Sequence, residues 1–128
     1  MLVQWEQIKR RENEAKKQPA SLLSGVPRSL PALFAAERLQ ERAGRLGLAA
    51  PRVQLPLEVD DQAFLGDVLF DLVGESRERG FDAEAALRDA NARFTARVGR
   101  VEARAKAAGR ELESYAPEEL RQLWGESA

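Results

Sequence analysis

Apolar residues along the chain recur at intervals of three and four, which is the spacing of one face of an α-helix. Six prolines interrupt this pattern. They divide the chain into stretches that we predict to be helices, at residues 3–17, 30–47, 60–79, 83–108 and 117–125. No stretch alternates apolar and polar residues with the period of two that marks a β-strand. The sequence therefore predicts an all-α fold, a helical bundle of about five helices.

The helical pattern also indicates which residues are buried and how neighbouring helices connect. In helix 30–47 the expected buried residues are Leu30, Leu33, Phe34, Leu39 and Leu46. In helix 60–79 the apolar face consists of Leu65, Val68, Leu69, Leu72 and Val73. Helix 83–108 carries a heptad-like seam of Leu87, Asn91, Phe94, Val98, Val101 and Ala105. Gly80 and Asp82 predict a short turn, so helices 60–79 and 83–108 should form an antiparallel hairpin.

Composition limits the function further. A length of 128 residues fits a single domain, 1–128, and the absence of cysteine and histidine excludes disulfides, zinc fingers and histidine-activated nucleophiles. A net charge of −1 provides no positive field for binding nucleic acid, so nucleic acid is not an expected partner. No apolar run is long enough to cross a membrane and no signal peptide is evident, so we expect a cytoplasmic protein with no membrane partner.

Two helices carry charged stripes of opposite sign. The acidic stripe of helix 60–79 consists of Asp60, Asp67, Asp71, Glu75 and Glu78, and the arginine stripe of helix 83–108 consists of Arg93, Arg97, Arg100 and Arg104. Carboxylates on one face can hold a divalent cation, and arginines can clamp a polyphosphate, so together they could bind a metal-bound nucleoside triphosphate. Alternatively, both stripes are solvated faces or pair with each other across the hairpin.

Phe64 lies in the middle of the acidic stripe, three residues before Asp67 and four after Asp60. A large aromatic side chain among carboxylates is out of pattern. It indicates either contact with a partner surface or the loss of a carboxylate.

Several separate blocks resemble the all-α MazG family of nucleotide pyrophosphohydrolases. The blocks are WEQIKRRE, SLLSGVPRSLPAL, ERLQERAGRLG, LGDVLFDLV, DAEAALRDANARF and VEARAKAAGRELESYAPEELRQLW, which cover nearly the whole chain except residues 48–62. The resemblance implies a bundle that forms a homodimer or a higher homo-oligomer. It also implies Mg²⁺-dependent hydrolysis of nucleoside triphosphates to monophosphate and pyrophosphate.

The family's metal site follows the pattern ExxE…ExxD, with the two pairs on neighbouring helices. By this resemblance, Asp67 matches the final Asp, but Phe64 stands where the preceding Glu belongs. A proline-containing loop at residues 48–59 stands in place of the ExxE helix. Asp71 and Glu75 follow Asp67 by one and two turns, and these three carboxylates are the candidate ligands of one Mg²⁺ or Mn²⁺ ion. If the chain is inactive, no cofactor is expected.

The phosphate side of the family's site is better represented. Arg93 and Arg97 match basic positions and are the candidate phosphate-binding residues, and Trp124 matches a nucleotide-binding tryptophan. Ala128 stands where the family has a further basic residue. A simpler interpretation is that the arginines pair with Asp89 or the acidic stripe, and that Trp124 covers the core.

These observations lead to two hypotheses about function. The first is a MazG-like pyrophosphohydrolase whose activity is weak or lost because most of the carboxylates are missing. The alternative is a catalytically inactive dimeric module with a binding or regulatory role, in which Phe64 fills an apolar contact. A nucleic-acid-binding domain that relies on the arginine stripe is a third interpretation, and the near-neutral charge argues against it.

Overall fold

The computed structural model describes residues 21–49 and 58–128. These residues form four α-helices: α1 (Ala32–Gly44), α2 (Gln62–Glu78), α3 (Ala83–Ala107) and α4 (Pro117–Glu126). A short 3-10 turn, Leu112–Ser114, precedes α4, and the described ranges contain no strand. The all-α class is therefore confirmed. The predicted helix 3–17 and residues 50–57 of the predicted loop lie outside the described residues.

The ends of the helices follow local sequence signals. Asp61 precedes α2, and its carboxylate accepts a hydrogen bond from the Phe64 amide at 2.7 Å. Asp82 does the same before α3, accepting from Ala85 N at 3.0 Å. Between α2 and α3 the chain reverses at Gly80, whose φ of +74° lies in the left-handed region that favours glycine. The short turn predicted between these two helices is confirmed.

The core of the described chain lies between α1 and α3. Its buried cluster consists of Leu23, Leu39, Ala43, Leu48, Val98 and Val101, and Phe94, Leu123 and Trp124 pack against it. Val98, Val101 and Ala105 of the predicted seam are buried, and Leu87, Asn91 and Phe94 are half-buried, so this face of α3 is confirmed. None of the described helices combines the length and the apolar character that a membrane crossing requires.

The predicted buried side of α1 is wrong at two positions. Leu33 is 56% exposed and Phe34 is 62% exposed. The face that packs on α3 instead runs through Ala32, Leu39 and Ala43, where small side chains let the two helices approach closely. The two large residues consequently lie on a neighbouring face of α1.

Within the single chain, the predicted core face of α2 is also wrong. None of its residues is buried, and Leu65, Leu72 and Val73 are 42%, 54% and 55% exposed. Phe70 is exposed by 80%. Val68 and Leu69 of this face are half-buried where α2 packs against α3, but no described element covers Leu65, Leu72 and Val73. A face of this kind on an otherwise folded domain is typical of a surface that meets a partner.

Candidate functional site

Three arginines of α3 bind the C-terminal end of α4. Their hydrogen bonds go to three backbone carbonyls at this end: Arg97 Nη2 to Trp124 O at 2.8 Å, Arg100 Nε to Ser127 O at 2.8 Å and Arg104 Nη2 to Glu126 O at 3.0 Å. The last carbonyls of a helix lack intrahelical partners and carry a partial negative charge, so cationic donors suit them. We call these three arginines the helix-end clamp.

Arg97 and Trp124, both predicted as site residues, lie in direct contact. The guanidinium carbon of Arg97 lies 4.0 Å from the centroid of the Trp124 ring. The edge of Phe94 lies against the same ring, with 5.8 Å between the ring centroids, and the indole N–H donates to Ala49 O at 2.8 Å. Arg97 Nε is buried and has no hydrogen-bond partner within the described chain. The structure thus places a cation and a half-buried aromatic ring together.

Arg93, the other predicted phosphate-binding residue, is exposed on α3 one turn before Arg97. Within residues 21–49 and 58–128, no ion pair connects the arginine stripe to the acidic stripe or to Asp89. For the described residues, the alternative in which these stripes pair across the hairpin is therefore wrong. The arginine stripe of α3 instead consists of the three helix-end clamp residues, which contact α4, and of Arg93, which is exposed.

The candidate metal ligands lie along one exposed helix. Asp67, Asp71 and Glu75 are all exposed on α2, and Glu75 forms an ion pair with Arg79 at 3.7 Å. Nowhere in the described part of the chain do three acidic side chains come together as a group that could hold a metal ion. The described residues of one chain therefore do not fit a Mg²⁺ cluster. The assignment of these carboxylates as ligands stays a prediction.

A second polar cluster, centred on Arg110 and Glu119 at the start of α4, was not predicted from the sequence. The guanidinium of Arg110 donates to both carboxylate oxygens of Glu119, at 2.9 and 3.4 Å, and to Ser114 O at 3.0 Å, while stacking on the Tyr115 ring at 3.8 Å. The Glu119 carboxylate also accepts from Ala116 N at 3.0 Å. A Glu at the third helical position is a capping signal that could have identified Glu119, but no comparable signal identifies Arg110.

The contact with Arg110 has a large effect on the pKa of Glu119. The hydrogen bond from Arg110 lowers the pKa of the Glu119 carboxyl from 4.5 to about 2, and the Ala116 amide contributes in the same direction. The same hydrogen bond raises the pKa of Arg110. The Glu119 carboxyl therefore stays ionised, and paired with Arg110, to a pH well below its ordinary pKa of 4.5.

A cavity of about 620 Å³ lies near the C-terminal end of α3, lined by Glu102, Lys106 and Arg110 among others. Part of its wall is fixed by Glu102, whose carboxylate accepts from the Ser21 hydroxyl and the Leu22 amide at 2.9 and 3.0 Å. None of the predicted site residues lines this cavity. The candidate site is accordingly a surface at the junction of α3 and α4.

Comparisons with known proteins show which proteins this chain is similar to. A nucleoside triphosphate pyrophosphohydrolase of Escherichia coli is 36% identical over 144 aligned positions, covering 97% of this chain and 54% of that protein. The nucleoside triphosphate pyrophosphohydrolase/pyrophosphatase MazG of Thermotoga maritima is 30% identical, covering 94% of this chain and 52% of that protein. The uncharacterized protein YabN of Bacillus subtilis is 32% identical, and the match covers 99% of this chain and 29% of that protein. No family model and no solved structure matches the chain.

The described fold is all-helical, and the chain is similar in sequence to proteins named nucleoside triphosphate pyrophosphohydrolases. The chain belongs to the MazG family. It spans about half the length of the Escherichia coli and Thermotoga maritima relatives.

Proposed function

We propose that this chain is a MazG-family domain that binds nucleoside triphosphates and hydrolyses them weakly or not at all. The observation that carries the proposal is that the candidate metal ligands lie exposed along one helix, without a described group of three acidic residues. The printed names of the Escherichia coli and Thermotoga maritima relatives support the substrate class. A cytoplasmic location belongs to the same proposal.

Pyrophosphohydrolysis places demands on a site that this chain meets poorly. Metal ions must neutralise the triphosphate and generate a nucleophile from water near neutral pH, which requires several oxygen ligands around each ion. Phe64 supplies no oxygen at the position where the family's Glu belongs. With so few ligands, any bound ion should be held weakly, and it would stabilise little of the charge that develops in the transition state.

The number of unmatched positions in the alignment with the Escherichia coli relative is large enough for a whole helix. The Escherichia coli relative is aligned over 144 positions, whereas this chain has 128 residues, so at least 16 positions of that relative have no counterpart here. Sixteen residues would form a helix of roughly 24 Å. A missing ExxE helix is of this size, and its loss would remove half of the family's carboxylates.

The binding half of the proposal rests on the α3–α4 junction. Arg97 donates one hydrogen bond to a carbonyl and stacks on Trp124, while Arg93 is exposed one turn away. A guanidinium has five N–H donors, so Arg97 retains the capacity to bind a phosphate oxygen. The neighbouring indole offers an aromatic surface to a base.

Hydrolysis and binding can be measured separately. Purified protein is incubated with a panel of NTPs and dNTPs in the presence of Mg²⁺ or Mn²⁺, and pyrophosphate release and calorimetric binding are both recorded. We expect binding with little or no turnover. Robust turnover that disappears in the Asp67→Ala variant would contradict the weakened site, and absence of any binding would contradict the substrate class.

A gain-of-function variant tests the role of the aromatic residue directly. Phe64→Glu restores the family's carboxylate one turn before Asp67, so its affinity for Mn²⁺ should rise. Phe70→Glu is the matched control, because Phe70 is 80% exposed on a different side of the same helix. If both variants bind Mn²⁺ equally, position 64 does not face the ancestral metal site.

The second candidate function, a dimeric binding or regulatory module, is favoured by the exposed face of α2. Leu65, Leu72 and Val73 form an apolar surface that no described element covers. A second copy of the chain would cover it with the equivalent face, as two-fold dimers do. We therefore propose a homodimer, or a higher homo-oligomer, built on α2.

Analytical ultracentrifugation tests this oligomeric state. The protein should sediment at twice the chain mass of 14.2 kDa, or at a higher multiple. Leu72→Asp should shift it to the monomer, because the dimer would have to bury the new charge. Leu33→Asp is the control, since Leu33 is similarly exposed, at 56% against 54%, but lies on α1. Dissociation by both variants, or by neither, would argue against an α2 interface.

A further inference from the structure

We propose that Arg100 and Arg104 are positioning residues, which hold the last turn of α4 so that Trp124 and Arg97 form one binding surface. Neither residue is assigned contact with a ligand. The inference rests on the proposed function for the identity of the ligand, a nucleoside triphosphate, but not for the geometry of the two helices.

Apolar burial alone holds α4 weakly. Among its residues Leu120 is the one classed as buried, and Leu123 and Trp124 are half-buried against the core. The helix has ten residues, and isolated helices of that length are marginal in water. Polar contacts to the rest of the chain therefore contribute strongly to where α4 lies.

The clamp fixes the end of α4 that carries the tryptophan. Arg100 and Arg104 bind the carbonyls of Ser127 and Glu126, which follow Trp124 by three and two residues. Arg104 also pairs with the Glu126 carboxylate at 3.4 Å. Hydrogen bonds from a cation to helix-end carbonyls are stronger than neutral ones, and one face of a single helix, α3, supplies the donors. The last turn of α4 is thus held against α3 by hydrogen bonds to several of its backbone carbonyls.

The position of Arg97 depends on the same turn. The Arg97 guanidinium donates its one hydrogen bond within the described chain to the Trp124 backbone carbonyl, at 2.8 Å, and also stacks on the Trp124 ring. If the last turn loosens, this carbonyl and the ring move together, and the guanidinium loses both contacts. Ligand affinity should therefore depend on Arg100 and Arg104 without either residue touching the ligand.

The test uses Trp124 as its own reporter. The chain has two tryptophans, so Trp5→Phe leaves Trp124 as the single fluorophore. In this background, Arg100→Gln with Arg104→Gln should shift Trp124 emission to the red and raise its quenching by acrylamide. Affinity for a non-hydrolysable triphosphate analogue should fall by about tenfold to a hundredfold, since each of the two lost hydrogen bonds contributes on the order of a factor of three to ten.

The matched control removes the same charge elsewhere. Arg121→Gln with Arg38→Gln deletes two exposed arginines whose ion pairs, within the described chain, are with neighbours in their own helices, at 2.7 and 3.6 Å. Emission, quenching and affinity should all stay at the values of the parent protein. Arg104→Lys, which keeps the charge and a donor, should recover part of the parent emission where Arg104→Gln does not.

The outcomes test the positioning role of Arg100 and Arg104 separately from the proposed binding of nucleotides. Unchanged Trp124 emission and quenching in the double variant would overturn the positioning role, as would a loss of affinity with unchanged emission, which would mean direct contact with the ligand. Altered emission in a protein whose parent binds no nucleotide would support positioning and overturn the proposed function. If the double variant fails to fold, Arg104→Gln alone, with two clamp residues intact, provides the same readouts.

Discussion

At the scale of single residues, Glu119 shows how one contact can set a pH dependence. Its folded pKa of about 2 lies below the ordinary value of 4.5, because Arg110 and the Ala116 amide stabilise the carboxylate. A group with a depressed pKa contributes stability that is fully present above the unfolded pKa and disappears as pH falls through the folded one. The contribution of Glu119 should therefore vanish between pH 4.5 and about pH 2.

The lowered pKa of Glu119 leads to a prediction for the Glu119→Gln variant. At neutral pH the variant should melt at a lower temperature than the parent, because the ion pair is gone. Between pH 4.5 and pH 2 the two melting temperatures should converge. Thermal unfolding followed by circular dichroism at a series of pH values measures the difference.

Glu118→Gln is the control for this measurement. Glu118 pairs with Arg121, but both side chains are largely exposed, at 82% and 72%, and such pairs contribute little. Its melting curve should track the parent at every pH. A constant difference between the parent and Glu119→Gln down to pH 2 would mean that the Arg110 contact does not form in solution.

Single residues also mark the limit of what the sequence could predict about the site. The spacing of Arg97, Arg100 and Arg104 correctly placed the three on one face of a helix. Their partners could not be read from the sequence, because they are backbone carbonyls of α4, which are present at every position and have no side-chain signature. The pattern therefore predicted the shared face of the arginines, whereas their contacts with the end of α4 became apparent only in the structure.

At the scale of elements, the end of α3 depends on backbone conformation. Gly109 follows the helix with φ of +68°, and the Arg110 amide donates to Ala105 O at 3.0 Å, which closes the final turn. A Cβ at Gly109 would meet nothing within 4 Å, so any cost of Gly109→Ala comes from conformation alone. We expect a loss of about 1 kcal/mol in the free energy of unfolding.

Replacing Gly99, which lies inside the same helix, should change the free energy of unfolding in the opposite direction. It lies within α3, and an added Cβ would also meet open space, so Gly99→Ala should raise the free energy of unfolding by about 0.5–1 kcal/mol. Urea denaturation measures both variants. Equal shifts in the same direction would show that the left-handed turn is not what ends α3.

The elements themselves were largely predictable because their signals are local. Asp82, Gly80 and Pro117 lie where the sequence places the ends of helices, and the observed bounds follow them. Burial was less predictable. Periodicity shows which face of a helix is apolar but not what covers it, and so the exposure of Phe34 and of Leu72 could not be read from the pattern.

At the scale of the whole molecule, two valines distinguish a core inside one chain from a surface shared between chains. Val98 is fully buried between α1 and α3, so Val98→Ala should cost about 2 kcal/mol at any protein concentration. Val73 is 55% exposed on α2. Val73→Ala should lower the melting temperature only at concentrations where the proposed homo-oligomer forms, because association stabilises by mass action.

Melting curves over a hundredfold range of concentration test this pair. If Val73→Ala has no effect even at the highest concentration, α2 is not covered by a second copy. If its effect is as constant as that of Val98→Ala, then α2 is covered within one chain.

The start of α1 is held by α3 rather than by its own sequence. Pro31, the N-cap residue of α1, offers no side-chain hydrogen bond to the helix; instead the Ala32 amide donates to the Glu84 carboxylate at 2.7 Å, and Asn91 donates to Ala32 O at 2.9 Å. These contacts span 52 and 59 residues along the chain. Closing a loop of that length is entropically costly before any contact compensates it, so α1 should gain its first turn late in folding, after α3 is in place. During synthesis, α1 leaves the ribosome well before α3, and its N-terminal end must wait uncapped for residues that have not yet been translated.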